Sequence, residues 1–574
     1  MQGNEECYIC TMAEGGSEKI KFEPVIADHR KWPIVWLTHH KKEFLKEVEE
    51  QSFSDLIKMA GDHEGLRALL EQAIYLERIR IKRHPWKVDP EDDKEFWDQM
   101  EKELLALNPL SPEEEQNEKL QKLIRDIIRR YLNEIAGEFR YGTYKLARRL
   151  LPHTFATLLN RKQLDPGGRI VGRSLHLKEK IQFVGHIEHM RKLITKGTVV
   201  LVPTHSSNLD SILIGWGIDE IGLPPFHYGA GLNLFNVRLI AYFMNRLGAY
   251  KVDRRKKNKI YLKTLKDYST LTIEQGVHSL FFPGGTRSRD NRVESKLKLG
   301  LLSTAVEAQR KQFEDGDTRS SKVFIVPASI NYHVVLEAPT LIEDYLKREG
   351  KQRYIIEKDE LSSSYRLFTF IIKFLTRGSQ VALSFGKPMD VFGHDVDEEG
   401  HSLDKNGNII NIEGYFKTNG VITEDEQRES RYTQKLAEKI VDAFYRINIA
   451  FSSHLIAFVA FELIQKMNGD LDLFELLRIP PKEIKVPYRK FREKVAVARD
   501  ALLALKDEGR IDVAPHLLNP VEDVIRHGLE NVGVFHSKRV LKYNKKKLEI
   551  LTEDLKLLYF YHNRLEGYGL ERYI

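Results

Sequence analysis

Thr198-Val199-Val200-Leu201-Val202-Pro203-Thr204-His205-Ser206-Ser207-Asn208-Leu209-Asp210 sets an unbroken apolar run directly against a polar turn. A run of Val and Leu closed by Pro reads as a strand buried on both faces. Ser206 to Asn208 then offer capping side chains to a helix carrying Asp210 in its first turns. Strand, short turn and helix make the unit of an α/β layer fold, in which ligands bind beyond the carboxyl ends of strands. His205 falls at that junction. An Asp one turn on can fold back onto one imidazole nitrogen, fix the tautomer and leave the other nitrogen to accept a proton.

Three further runs read as buried strands: Val277–Phe282, Val323–Ser329 and Gln380–Phe385. Upstream, from Lys41 to Leu132, the chain is charge-rich with helical spacing of Leu and Ile, the texture of solvated helices, interrupted at Asn108-Pro109 and Ser111-Pro112. Residues Gly393 to Glu426 are polar and read as a surface excursion; after Tyr445 helical patterning runs to about Leu558. At 574 residues the chain exceeds one hydrophobic core. Three units are expected: a charge-rich helical region 1–135, an α/β domain 136–445 and a helical domain 446–574.

The only cysteines, Cys7 and Cys10, supply half of a structural zinc site and no disulfide framework, so no metal is expected and a reducing cytosol fits. Met1 to Ser17 lacks the basic start and apolar run of an export signal. The longest apolar stretch, Ile447 to Ile464, is broken by Asn448, Ser452, Ser453, His454 and Glu462, which favours a buried helix over a membrane span. Tyr365 to Leu375 mixes aromatic, aliphatic and cationic residues, as an interfacial segment or a core helix would. The net charge of +7 favours anionic partners without naming one. The basic run Lys251, Arg254, Arg255, Lys256, Lys257 and Lys259 has no nucleic-acid motif beside it; anionic lipid or an acidic carrier protein fits better, at about 1 kcal/mol per basic residue near a lipid surface.

In a chain with 20 histidines, a His five residues before an Asp arises by chance about once. Context has to lift it. After the second strand comes Phe281-Phe282-Pro283-Gly284-Gly285-Thr286-Arg287-Ser288-Arg289, a glycine-rich turn whose amides can approach an anion between two guanidinia, with Lys298 and Gly300 entering the next helix. The competing reading is an ordinary tight turn with solvated arginines.

Four blocks now stand in order: His205 with Asp210; Ala230-Gly231-Leu232-Asn233-Leu234 with Arg246-Leu247-Gly248-Ala249-Tyr250, Arg254 and Arg255; Phe282 to Ser288; and Val326-Pro327-Ala328-Ser329-Ile330-Asn331-Tyr332. Together they resemble the glycerophospholipid acyltransferases, and the second block looks most like the glycerol-3-phosphate branch, as does the tail Leu557 to Leu565. The resemblance implies a mixed sheet flanked by helices, a glycerolipid acyltransferase-like core, with helical regions at both ends. It implies His205 as general base, Asp210 as its orienter, Arg287 and Lys298 on the acceptor phosphate, an arginine from Arg254 or Arg255 joining them, and Asn233 in support. Gly284, Gly285, Thr286, Ser288 and Arg289 complete the acceptor pocket, with backbone amides of 284 to 286 for an oxyanion. One residue departs from the pattern. Members of the family carry Glu where Gly284 stands, and Glu294 is the candidate substitute.

The implied reaction moves an acyl group from acyl-CoA or acyl-carrier protein to the sn-1 hydroxyl of glycerol-3-phosphate, giving lysophosphatidate, with no cofactor and no covalent enzyme intermediate. No G-x-S-x-G elbow occurs. Lysophosphatidate or dihydroxyacetone phosphate are the alternative acceptors; a non-catalytic scaffold or an anionic-surface-binding protein are the non-enzyme alternatives. Peripheral attachment to the cytoplasmic face of the inner membrane follows from a lipid product.

Overall fold

The computed structural model describes residues 22–149 except 109 and 111, 181–316 except 233, 234, 236 and 237, 322–349, and 381–574. The expectations for Cys7 and Cys10, Asn233, the segment Tyr365–Leu375 and Gln380 lie outside these residues. Seven strands form the main sheet: β1 (Ile181–Gly185), β2 (Thr198–Pro203), β3 (His227–Gly231), β4 (Ala249–Val252), β5 (Ser279–Leu280), β6 (Val323–Tyr332) and β7 (Val381–Phe385). Their spatial order is β1-β7-β6-β2-β5-β3-β4, parallel throughout except where β6 meets β7. This is the expected mixed sheet flanked by helices.

β2 takes the span its sequence predicts, because alternate residues are buried on opposite faces. Val199 and Leu201 enter a core shared with the helices Asp210–Glu220 and Ser452–Met467, while Val200 and Val202 enter a second core with the helices Leu299–Asp315 and Glu426–Ile447. Each such side chain contributes roughly 1.5–3 kcal/mol by leaving water. β5 is shorter than the run Val277–Phe282 predicts. Phe281 N–H still reaches Leu201 O, but the carbonyl of Phe282 accepts from Gly285 N–H and starts the turn. β6 runs three residues past Ser329, paired with β7 as far as Tyr332.

The core that includes β1, β2 and β6 continues without a break through the C-terminal helices to Ile574. Its centre is the helix Ser452–Met467, the apolar stretch that reads as a buried helix; no helix among the described residues is long and apolar enough to cross a membrane. The polar stretch 393–426 forms two short hairpins, and the buried Phe416 fastens it to the second core.

The charge-rich helices α1 (Pro33–His39), α2 (Lys41–Ala60), α3 (His63–Arg83), α4 (Asp93–Leu105) and α5 (Glu113–Ile135) are not solvated all round. Trp97, Ile124, Ile127 and Tyr131 close onto Tyr261 and Tyr268 of the helix Lys259–Glu274. Buried ions stitch the contact: Arg80 lies between Glu77, at 2.6 Å, and Asp93, while Lys256 pairs with Glu134 and Asn258 donates to Glu77 and Tyr131. The basic run is corrected here. Lys256 is only 3% exposed, and Arg255 bonds Asp253 and Asp89 while lying 3.9 Å over Trp86, so both serve the N-terminal helices rather than an anionic surface.

Candidate active site

β6, β2, β5, β3 and β4 are consecutive in the sheet, and the carboxyl ends of these parallel strands deliver the four blocks to one edge. Behind β2, the helix begins at Asp210 itself, one to three residues later than caps at Ser206–Asn208 imply. The carboxylate replaces those caps. Asp210 Oδ2 accepts from the backbone N–H of Ser206 at 2.6 Å and of Ser207 at 2.8 Å, and Tyr332 donates its hydroxyl to Oδ1. His205 Nδ1 lies 2.8 Å from the same Oδ2. A carboxylate held by three other donors takes the Nδ1 proton as an acceptor only, which leaves Nε2 as the basic nitrogen. The ring stacks on Phe282 with centroids 4.2 Å apart, and Nε2 has no hydrogen-bond partner among the described residues.

The turn after β5 grips His205 from the other side. Ser288 N–H donates to His205 O at 2.7 Å, and Glu294 Oε1 accepts from His205 N–H at 2.7 Å. Burial pushes the Glu294 carboxyl up to about 8, against the pull of the His205 N–H and with the help of Asp210. Gly285 has φ +74°, where glycine is favoured, and the Lys298 side chain lies across it. Thr286 and Lys298 are exposed at the rim, and the Ser288 hydroxyl turns to Asp290. Of the three amides 284 to 286, Gly285 N–H is used within the turn and Gly284 N–H favours the charged form of Glu294. Thr286 N–H is the one left to meet a ligand.

Arg254, Arg287 and Arg289 face one another closely enough for like charge to matter. Protein crowding and then these neighbours hold Arg254 below the ordinary guanidinium value, although its surface stays open to solvent, as expected of a side chain lining a cleft. Arg287 lies 3.5 Å from Glu337, which also accepts from Asn208 N–H at 2.9 Å and from the Ser207 hydroxyl at 3.1 Å. Arg289 pairs with Asp344. Arg255 points away from this cluster, so of the two candidate arginines only Arg254 joins Arg287.

Tyr332, Glu337 and Arg564 have no role in the sequence reading. Arg564 is buried beneath the site, donating to Asn331 at 2.6 Å and Ser329 at 3.3 Å, and its charge is felt by Asp210 and Glu294. The resemblance of the tail Leu557 to Leu565 is the sequence signal for Arg564.

Two clusters among the described residues have metal-like composition. His333, His516 and His527 bring ring nitrogens within 4.8 Å, but His516 Nε2 accepts the Ser452 N–H, so its Nδ1 carries the proton and cannot ligate. Asp55, Asp267 and Glu307 already surround the ammonium groups of Lys263 and Lys266.

Residues 183–331 match the Acyltransferase family model. The glycerol-3-phosphate acyltransferase of Pseudomonas paraeruginosa is 29% identical over 286 residues, covering 50% of this chain and 30% of that protein. Its namesake in Alteromonas mediterranea is 29% identical over 45% of this chain and 27% of the relative, and that of Pseudomonas fluorescens 31% identical over 36% and 23%. In each case this chain covers less than a third of the relative's length. Among solved structures, the 1-acyl-sn-glycerophosphate (LPA) acyltransferase PlsC of Thermotoga maritima matches at 15% identity and a TM-score of 0.24, over 52% of this chain and 81% of that one. The family resemblance read from the four blocks is borne out by the family model and these relatives.

Proposed function

We propose that this chain, with its acyltransferase-family segment at 183–331, transfers a fatty acyl group from an acyl-CoA or acyl-carrier-protein thioester to the sn-1 hydroxyl of glycerol-3-phosphate, at the cytoplasmic face of a membrane. The observation that carries this is a histidine oriented by a carboxylate, with Glu337 linking the turn after it to Arg287, and Arg254 near enough to Arg287 for like charge to be felt. Guanidinia close to a general base suit an anionic acceptor, and a phosphate two carbons from a hydroxyl answers both features. His205 Nε2 takes the hydroxyl proton as the oxygen attacks the thioester carbonyl; the tetrahedral oxyanion meets Thr286 N–H, and collapse expels the thiolate, which recovers the proton from His205. The Asp210 carboxylate, through Nδ1, stabilises the imidazolium in between. Arg254 and Arg287 hold the phosphate.

The test is a panel. Purified protein with a long-chain acyl-CoA, or the matching acyl-carrier protein, is given glycerol-3-phosphate, lysophosphatidate or dihydroxyacetone phosphate, and free thiol is measured. Release with glycerol-3-phosphate supports the reading, release with another acceptor reassigns the substrate, and no release with any of them leaves a scaffold.

A smaller effect follows from Tyr332. Tyr332→Phe removes one of the donors that fix Asp210 while His205, Ser206 and Ser207 remain. A single charge-assisted bond of roughly 1.5 kcal/mol translates to a kcat lowered about tenfold. The KM for acceptor should hold; an unchanged kcat would show that Asp210 needs no help from Tyr332.

A further inference from the structure

We propose that Glu294 is a positioning residue that locks His205 to the cationic turn, and that residue 284 is glycine because the Glu294 carboxyl fills the volume a side chain there would take. The proposal rests on the reading of His205 as the base.

The backbone of His205 is held at both ends. Its N–H goes to Glu294 Oε1 and its carbonyl to Ser288 N–H, each at 2.7 Å. Both partners belong to the loop that closes on itself where Lys298 N–H meets Pro283 O, at 2.7 Å. One carboxyl therefore ties the strand that carries the base to the loop that carries Arg287. The loop is itself anchored. Val293 is buried in the second core, Asn291 donates to Phe560 O at 3.2 Å, and Asn563 returns a bond to Asp290 O at 3.0 Å. Glu294 is thus delivered to His205 by a rigid frame.

Gly285 owes its identity to a left-handed backbone, but Gly284 has no such requirement. Space explains it instead: a Cβ built on Gly284 would fall inside van der Waals contact with the Glu294 carboxyl. The second oxygen, Oε2, is buried without a hydrogen bond of normal geometry among the described residues, with only a weaker pull from Gly284 N–H. An orphaned buried carboxyl oxygen costs stability unless the arrangement serves something else. Charged groups reach the carboxyl from two sides, Asp210 on its helix and the Arg564 guanidinium from the C-terminal tail, while His205 meets it through its backbone N–H. Near pH 8 the carboxyl changes charge beside the imidazole, and in either form Oε1 still accepts the His205 N–H.

The experiment uses the full chain and the thiol-release assay. Glu294→Ala is expected to lower kcat about 30-fold through misplacement of the base, with the KM for glycerol-3-phosphate within about twofold. Glu294→Gln keeps the acceptor and should regain activity to within about threefold, without the inflection near pH 8 expected in the native kcat profile. Gly284→Ala should cost about tenfold alone and nothing further in the Glu294→Ala background, a coupling that a double-mutant cycle reads directly. Losses that multiply, or an unchanged kcat in Glu294→Ala, overturn the proposal. Should the native chain turn over no acceptor, the base reading fails separately. Positioning is then judged by the rate at which diethyl pyrocarbonate modifies His205, followed by mass spectrometry of that peptide. Glu294→Ala should raise that rate severalfold and Glu294→Gln should not; equal rates in all three overturn it.

Discussion

Acceptor-dependent thiol release is expected to fall by about 10³-fold in His205→Ala, some 4 kcal/mol, within the range for loss of one general base. The size of the loss follows from the geometry. His205 Nδ1 is committed to Asp210, and Asp210 is saturated by Ser206, Ser207 and Tyr332, so no second group near the ring is placed to accept a proton in its stead. Glu294, a second carboxyl in contact with His205, is already engaged with its backbone. The ring itself is 17% exposed and, among the described residues, has Phe282 as its one aromatic neighbour, so the thermal midpoint should move little. A variant keeping more than a tenth of native kcat would remove His205 from the role of base.

The second large effect concerns the acceptor. Arg287→Ala should raise the KM for glycerol-3-phosphate about 10²-fold while kcat changes little, since two charge-assisted bonds to phosphate contribute about 3 kcal/mol. Arg287→Lys should recover only part, because an ammonium cannot make the paired contact of a guanidinium. Arg254→Ala should act in the same direction. Arg255→Ala is the contrasting case: its partners are Asp253, Asp89 and the Trp86 ring, so the expected result is a lower thermal midpoint with KM unchanged. A rise in KM for Arg255→Ala that matched Arg287→Ala would place the phosphate elsewhere in the cleft.

The fold was most legible where burial leaves a run of one kind. β2 is six residues of apolar sequence buried on both faces, and its limits can be read directly. β3 and β4 escaped notice because His227-Tyr228-Gly229-Ala230-Gly231 and Ala249-Tyr250-Lys251-Val252 are short and poor in β-branched residues. Their glycines serve packing: a side chain at Gly229 would press on the Tyr250 ring. The N-terminal helices were legible as helices but not as a packed layer. Arg80 and Lys256 carry the sequence signature of solvated groups, and each is buried only because a carboxylate from another helix reaches it, Asp93 of α4 for Arg80 and Glu134 of α5 for Lys256.

By itself the sequence determined the pairing of His205 with Asp210 and the presence of a cationic, glycine-rich turn. Each is contained within one short stretch, so residue type and spacing carry the chemistry. Only the tertiary structure decided what surrounds them. Glu294 reaches His205 across 89 residues, Tyr332 reaches Asp210 across 122, Glu337 reaches Asn208 across 129, and Arg564 reaches Asn331 across 233. Likewise Arg254 and Arg255 are neighbours of identical type, and the side of the sheet edge each one faces is set by what packs there. Local spacing fixes a bond between residues one turn apart, whereas a contact between distant segments exists only once the sheet and its two cores have brought them together.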